Sequence, residues 1–324
     1  MRAVFFCQSN KEIGIGHLKR SLVIANALRS NFNCSLKFVI YGEPLFIDNL
    51  KDIDFEFIDI KKQFSDTTLE NLEFDILFLD ISKKYIPKHF SNFLNIVKAK
   101  NKKIISIDGL IDYEEFLDLI FIPSFKAPKI YKKLNYKKII YGWDCFLIDD
   151  QIERTNWTEG KKILVLTGGS DVENFCNSLP NLLDKKIDKK YLIDWIVGPF
   201  SNRPKLDIKN DNFSEHFSPR SLNSYYKNAN YVLTLYGVSF FESLYSGIPT
   251  VVFPANKDEN KDELEILKNS EIALVAKDQI EAVDLLNELI ENKNLALKLH
   301  KKTIDQIKTN GTLRILNEIK TLIC

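Results

Sequence analysis

The chain has 324 residues, 45% hydrophobic and 27% charged, which suits a globular protein of two domains, since single cores rarely grow past about 250–300 residues. Forty-five basic against forty-four acidic side chains leave a net charge of +1, so there is no global field to gather a polyanion and nucleic acid is excluded as the expected main partner. The five cysteines, Cys7, Cys34, Cys145, Cys176 and Cys324, are scattered, odd in number and without CxxC spacing, which excludes a disulfide framework and a zinc site and fits reduced thiols in the cytosol.

The first apolar run, "RAVFFC" at 2–7, is too short for a signal peptide and has no small-residue cleavage site after it. No later run approaches the ~20 residues of a membrane span, so the expectation is a cytoplasmic chain with no integral membrane segment. "RAVFFC" instead reads as a strand, followed by a helix over 17–30 in which Leu18, Leu22, Ala25 and Leu28 or Arg29 recur at helical spacing. Those apolar residues are expected to pack on a sheet, leaving His17 at the helix start to face a crevice. Further strands are predicted at 35–41, 55–60, 75–81, 103–108 and 118–123, with a helix over 87–100. Near-continuous apolar strands alternating with helices imply parallel strands buried on both faces.

A second set begins after the polar segment 149–161: "KILVLTGG" at 162–169, "LIDWIVG" at 192–198, "NYVLTLYG" at 230–237 and "PTVVFP" at 249–254. The expected organisation is therefore an α/β protein of two doubly wound domains, residues 1–150 and 151–324, with 149–161 as the linker. Two such domains place the carboxyl ends of both sheets beside one cleft, where open α/β sheets bind ligands.

Three loops at strand ends carry the candidate chemistry. In "GIGHLKR" at 14–20, Gly14 and Gly16 permit a sharp turn and close approach of a ligand, and the helix start favours an anion. His17 is the nearby side chain that exchanges protons near neutrality, a candidate general base; equally, the glycines make the turn and His17 packs at a helix end. The loop is not a dinucleotide fingerprint, because Lys19 stands at the third glycine position. In "LTGGSD" at 166–171, Gly168, Gly169 and Ser170 can wrap a diphosphate with main-chain N–H groups and a hydroxyl, or simply form a βα turn.

In "LYGVSFFESLYSGIP" at 235–249, Gly237 and Ser239 end a strand and Glu242 is placed to accept both hydroxyls of a ribose, with a solvated glutamate as the bland alternative. Asp80 ends a strand and Asp108 precedes Gly109, both positions that can line the cleft; turn capping is the expected role of Asp108. His89, His216 and His300 lack metal-like spacing and are expected to be surface or locally bonded residues. The basic runs "KKYIPKH" and "KAPKIYKK" read as solvated faces.

"GIGHLKR" 14–20, "LFLDI" 77–81, "ISIDG" 105–109, "IYGWDCFLI" 140–148, "LVLTGGSD" 164–171, "WIVGP" 195–199, "GVSFFESLYSGIP" 237–249 and "TNGTLRI" 309–315 resemble, in this order, the PseG/SpsG group of nucleotide-sugar hydrolases. The resemblance implies a GT-B-like fold of two Rossmann-like domains, related to the glycosyltransferase that makes lipid II. It implies hydrolysis of UDP-2,4-diacetamido-2,4,6-trideoxy-β-L-altropyranose to UDP and free sugar before pseudaminic acid synthesis, with inversion and with no cofactor or metal. It also implies that His17 acts on the attacking water, that Gly168 to Ser170 hold the diphosphate, and that Glu242 holds the ribose. Gly14, Gly16, Arg20 and Asp80 are the candidates for the sugar side, and Arg20, one turn after His17, compensates charge, fixes the loop or equally forms a surface salt bridge.

The chain departs from the group in two places. Hydrolases of the group have His and Tyr after the aspartate, whereas Asp80 is followed by Ile81 and Ser82, with the nearest tyrosine at Tyr85; Tyr236, Val238, Phe240 and Phe241 are bulkier than usual. A glycosyltransferase that delivers the sugar to a hydroxyl acceptor is the second expectation, and a nucleotide-sugar sensor the third.

Overall fold

The computed structural model describes residues 1–43, 50, 52–59, 73–127, 139–207, 210–256 and 260–323. Cys324, Ile60 of the expected third strand and most of the basic run 126–133 lie outside the described residues. The chain divides into two compact units, one of Met1–Leu147 with Thr309–Cys324 and one of Ile148–Lys308.

The first unit is built on seven parallel strands, β1 (Arg2–Ser9), β2 (Ser35–Gly42), β3 (Asp54–Asp59), β4 (Ile76–Asp80), β5 (Lys103–Ile107), β6 (Leu119–Phe121) and β7 (Ile139–Ile140). Their order is β3-β2-β1-β4-β5-β6-β7. All described pairings are parallel, and β1 and β4 are buried almost end to end. That burial is why their sequences are unbroken apolar runs rather than alternating ones. At the sheet centre Phe5 pairs in register with Phe38 on β2 and Phe78 on β4. The three rings stack at centroid distances of 4.8 and 4.4 Å, which locks the strands that carry the site.

Helix α1 (Gly16–Asn31) buries Leu18, Leu22, Ala25 and Leu28 and leaves Arg29 exposed, the face that the sequence spacing predicts. Helix α2 (Phe90–Ala99) starts three residues after Pro87 and packs Phe90, Phe93, Leu94 and Val97 into the core on the other apolar side of the strands.

The second unit repeats the plan with β8 (Lys162–Leu166), β9 (Leu192–Val197), β10 (Phe213–Phe217), β11 (Tyr231–Leu235), β12 (Thr250–Phe253) and β13 (Leu274–Val275), in the order β10-β9-β8-β11-β12-β13. Its helices are α3 (Leu179–Lys186), α4 (Asn223–Asn228), α5 (Val238–Tyr245), α6 (Lys261–Ser270), α7 (Gln279–Glu291) and α8 (Lys293–Gln306). Leu183 of α3, Leu286 of α7 and Leu299 of α8 close on Trp195 and Val251 in its core.

Two boundaries differ from the sequence expectation. Helix α9 (Gly311–Ile323), expected in the second domain, packs on α1 of the first unit. Its buried face of Ile315 and Ile319 needs an apolar partner, and its first residue docks so closely, Gly311 N–H donating to the Phe146 carbonyl at 2.7 Å, that a Cβ there would collide with the backbone of Cys145. The expected linker is bound along its length to the second unit: Thr155 donates to the Ser246 carbonyl at 2.9 Å and Trp157 Nε1 to the Asn230 carbonyl at 2.7 Å. Strands β7, β10 and β13 were not foreseen, because two of them have two residues and β10, "FSEHF", is a polar edge strand.

In each sheet the strand order reverses beside the first strand, between β1 and β4 and between β8 and β11. These are the topological switch points at which open α/β sheets form ligand crevices, at the carboxyl ends of the strands.

Phe5→Ala is expected to lower the unfolding free energy by about 3–5 kcal/mol, the cost of emptying a fully buried aromatic site, whereas Phe5→Tyr or Phe5→Leu costs less. Urea denaturation midpoints of the three variants check the order.

Candidate active site

Each sequence-predicted loop follows a strand that flanks a switch point. The turn that carries Gly14 and Gly16 leaves β1, Asp80 is the last residue of β4, Gly168 to Ser170 follow β8, and Gly237 follows β11 within two residues.

In the first unit the turn is fixed by its own polar atoms. Asn10 Oδ1 accepts from the N–H groups of Glu12 and Ile13 at 2.9 and 3.0 Å, and the Gly14 N–H donates to the Asn10 carbonyl at 2.8 Å. Gly14 has φ of 71°, the left-handed region that glycine occupies without strain. Helix α1 then starts at Gly16 and presents His17 and Arg20 one turn apart on the same face.

Both side chains converge on Asp80. His17 Nδ1 lies 2.6 Å from Asp80 Oδ1. Arg20 clasps the same carboxylate with Nη2 at 2.6 Å from Oδ1 and Nε at 2.7 Å from Oδ2, and Ser21 adds a longer hydrogen bond at 3.4 Å. The outer nitrogen of the guanidinium, Nη1, donates to Asp108 Oδ2 at 2.7 Å. Asp80 is 1% exposed and His17 20% at the side chain.

The electrostatics follow from this packing. Burial alone pushes the Asp80 carboxyl up, but the Arg20 charge and then His17 outweigh it, so the group is held below the usual carboxylate range. Burial works to lower Arg20, and the two carboxylates overcome it to raise the guanidinium further. A carboxylate held charged at Nδ1 makes that nitrogen the hydrogen-bearing one and leaves Nε2 as the ring atom that can take a proton. The nearby Cys7 thiol is pushed well up by burial and then by the Asp80 charge, so it stays protonated and offers no thiolate nucleophile.

The site differs from expectation at Asp80, Asp108 and Arg20. Asp80, expected to touch the sugar, is sealed beneath His17 and Arg20. Asp108, expected to cap a turn or line the cleft, holds the far side of Arg20. Arg20 makes its hydrogen bonds to protein groups, as two ion pairs with Asp80 and Asp108. The stretch after Asp80 is tied to the His17 turn: Ser82 N–H donates to Gln8 Oε1 at 2.7 Å, Gln8 Nε2 donates to the Tyr85 carbonyl at 3.0 Å, and the Tyr85 hydroxyl donates to Glu12. Gln8 is fully buried; its one signal in the sequence is an amide directly after the apolar run of β1.

In the second unit Gly168 has φ of 84° and Gly169 and Ser170 are half-buried. Gly198 at the end of β9 lies so close to this turn that a Cβ would strike the carbonyls of Gly168 and Gly169. No helix starts directly after Ser170. Asp171 instead accepts from the N–H groups of Phe175 and Cys176 at 2.9 and 2.8 Å, and α3 begins only at Leu179.

Gly237 and Ser239 stand at the start of α5. Glu242, expected to reach a ribose, is buried to 0% exposure. Tyr226 OH lies 3.1 Å from its Oε2 and 3.0 Å from the Ser239 carbonyl, so in this arrangement the carboxylate fastens the first turn of α5 from inside.

The remaining histidines are locally bonded, His216 to Asp194 at 2.7 Å and His300 to the Gly247 carbonyl at 2.6 Å, while His89 precedes α2. Among the described residues no helix is long and apolar enough to cross a membrane.

Two parallel Rossmann-like domains, each with its loops at the switch point, define a protein of the GT-B fold. Solved structures bear this out: UGT2 of Phytolacca americana, complexed with UDP-2-fluoro-glucose and pterostilbene, superposes with a TM-score of 0.65 at 12% identity over 99% of both chains. MurG of Acinetobacter baumannii matches with a TM-score of 0.62 at 13% identity, over 99% of this chain and all of that one. S. aureus MnaA in complex with UDP gives 0.66 at 14% identity, over 99% and 96%.

No family model matches the chain. An uncharacterized protein of Methanocaldococcus jannaschii, MJ1062, is 25% identical over 284 residues, which are 79% of this chain and 56% of that protein. The chain thus spans little more than half the length of the curated relative it matches.

Asp80→Asn is expected to lower the unfolding free energy by about 3–5 kcal/mol near neutral pH, the usual cost of breaking one side of a buried ion pair. Because the fold favours the charged form, this contribution is complete above the unfolded carboxyl value near ~4 and is lost as the pH falls through the lower folded value. Urea titrations should therefore show wild type and variant well separated at about pH 7 and converging as the pH falls below ~4.

Proposed function

We propose that the protein is a nucleotide-sugar hydrolase that transfers the sugar of a UDP-sugar to water. The observation that carries this reading is the His17–Asp80 pair at the switch point of the first sheet, a general base oriented by a buried carboxylate. The solved structures of the same fold that carry UDP or a UDP-sugar support the choice of nucleotide.

In this reading the second unit holds the nucleotide. The turn Gly168–Ser170 and the start of α5 at Gly237 and Ser239 offer main-chain N–H groups and two hydroxyls to the diphosphate. Glu242 keeps the α5 turn in place. His17 Nε2 takes a proton from a water whose oxygen bonds to the anomeric carbon. The bond from that carbon to the diphosphate oxygen breaks, UDP leaves with the electron pair, and the anomeric configuration inverts. Asp80 stabilises the imidazolium that forms. A UDP group leaves well, so one positioned base supplies about 10²–10⁴-fold and orientation the rest. The ordered motifs shared with the PseG/SpsG group support a 2,4-diacetamido-2,4,6-trideoxyhexose as the sugar, for pseudaminic or related nonulosonic acid synthesis in the cytoplasm.

A second reading is a glycosyltransferase that accepts a hydroxyl in surface-glycan synthesis. The likeness to UGT2 and MurG favours it, as does Ile81 in place of the histidine that follows the aspartate in the hydrolases. The same base serves either acceptor.

Incubation with a panel of UDP- and CDP-sugars, with and without hydroxyl acceptors, separates the two. UDP release that is fast in water alone is the expected result; release only with an acceptor sinks the hydrolase in favour of the transferase. His17→Ala is expected to lower kcat by about 10²–10⁴-fold while the Kd for UDP changes less than about twofold, and near-wild-type turnover would remove His17 from the chemistry. Gly198→Ala, by pushing on the Gly168–Gly169 carbonyls, is expected to weaken UDP binding at least about tenfold, or 1.4 kcal/mol, by calorimetry, with the His17 cluster untouched.

A further inference from the structure

The hydrogen bonds around Arg20 reach one residue beyond those a general base requires. The charged groups that touch the His17 imidazole are Asp80 at the end of β4 and Arg20 on its own helix; Asp108 in the turn after β5 reaches it through Arg20, and the protonated Cys7 thiol of β1 lies by Asp80 and Ser21. Arg20 Nη2 lies 3.0 Å from His17 Nδ1 as well as 2.6 Å from Asp80 Oδ1. Taken by itself, the guanidinium charge opposes that of Asp80 at the imidazole. Asp108 is the counterweight, since its carboxylate accepts from the opposite edge of the same guanidinium at 2.7 Å.

With a neutral imidazole the two carboxylates and one guanidinium sum to one negative charge; with an imidazolium they sum to zero. The cluster is therefore balanced for the protonated ring, the state that forms as the base takes its proton. The backbone holds Asp108 for this contact. It has φ of 64°, a left-handed conformation that Asp and Asn tolerate better than other side-chain-bearing residues, and its N–H donates to the Phe121 carbonyl at 2.8 Å. Its side chain is 43% exposed, so solvent damps its influence without removing it.

We propose that Asp108 is a positioning residue that sets the basicity of His17 through Arg20, by occupying the far edge of the guanidinium so that the Asp80 charge remains available to the imidazole. This deepens the reading of His17 as the base and rests on it.

The test is the titration of His17 in the full chain, followed by NMR of ¹⁵N-labelled imidazoles and assigned by loss of the signal in His17→Ala. Asp108→Asn keeps the shape and the left-handed turn but removes the charge. Its expected effect is a His17 midpoint lowered by about half a pH unit, the size that one partly screened charge a few ångströms away produces. Arg20→Gln removes the opposing charge and is expected to move the midpoint upward. Arg20→Lys, which keeps the charge, should stay closer to wild type than Arg20→Gln does.

Once a turned-over substrate is in hand, the acid limb of kcat/KM should move in the same directions. Any variant that loses the near-ultraviolet dichroism of the wild type is replaced in the comparison by Asp108→Ser, which removes the same charge from a half-exposed position.

A purely structural Asp108 would lower activity and leave the midpoint where it is. An unmoved or raised midpoint in Asp108→Asn overturns the proposal even if His17→Ala abolishes turnover. Unchanged turnover in His17→Ala overturns the general-base reading whatever the titration shows, so the two failures are distinguishable.

Discussion

The buried carboxylate of Asp80 is the constraint around which the first unit is arranged. A charge at 1% exposure is costly unless its oxygens are filled by donors, and here one guanidinium, one imidazole and one hydroxyl fill them. Those donors come from a single helix, so the start of α1 cannot move away from the end of β4 without leaving that charge unpaired. The strands beneath are locked by the Phe38–Phe5–Phe78 stack, which places the two ends of the crevice in fixed register. The carboxylate thus determines three things together: where the helix begins, which nitrogen of His17 bears the hydrogen, and which one is left for chemistry.

The second unit solves a parallel problem with fewer charges. Its turn after β8 is shaped by steric exclusion, because Gly198 is pressed against the carbonyls of Gly168 and Gly169. Its other turn, at the start of α5, is held by a hydrogen-bonded pair of buried groups, Tyr226 and Glu242. Burial and then the Glu242 charge push the Tyr226 phenol well up, so it stays a donor across the neutral range. One unit therefore gathers its charged side chains at the switch point, whereas the other shapes its loops by close backbone packing and one buried tyrosine–glutamate pair.

Much of this was legible in the sequence because parallel sheets leave a strong trace. Unbroken apolar runs such as "RAVFFC" and "KILVL" belong to strands covered on both faces, and the spacing of Leu18, Leu22 and Ala25 fixed the buried side of α1. The loops stood out because glycines recur at the strand ends, where a sharp turn or the close approach of a ligand requires them. What the sequence hid was partnership over distance. Nothing near Asp108 announces that Arg20, 88 positions earlier, will reach it, and nothing near Glu242 shows that Tyr226 turns it inward. The short edge elements β7, β10 and β13 left no run to read, and the apolar stripe of α9 predicts a helix without saying which sheet it will cover.

That last point bears on how the molecule is made. Residues 148–308 form a continuous unit, so during synthesis they have all their own contacts once they emerge from the ribosome. The first unit is earlier in sequence but discontinuous: the outer side of α1 waits for residues 309–323, and the Phe146 carbonyl waits for the Gly311 N–H. The unit that carries His17 and Asp80 is thus completed after the unit that carries Gly168 and Glu242. In the interval the apolar side chains that α9 covers are open to solvent, the kind of surface that chaperones bind.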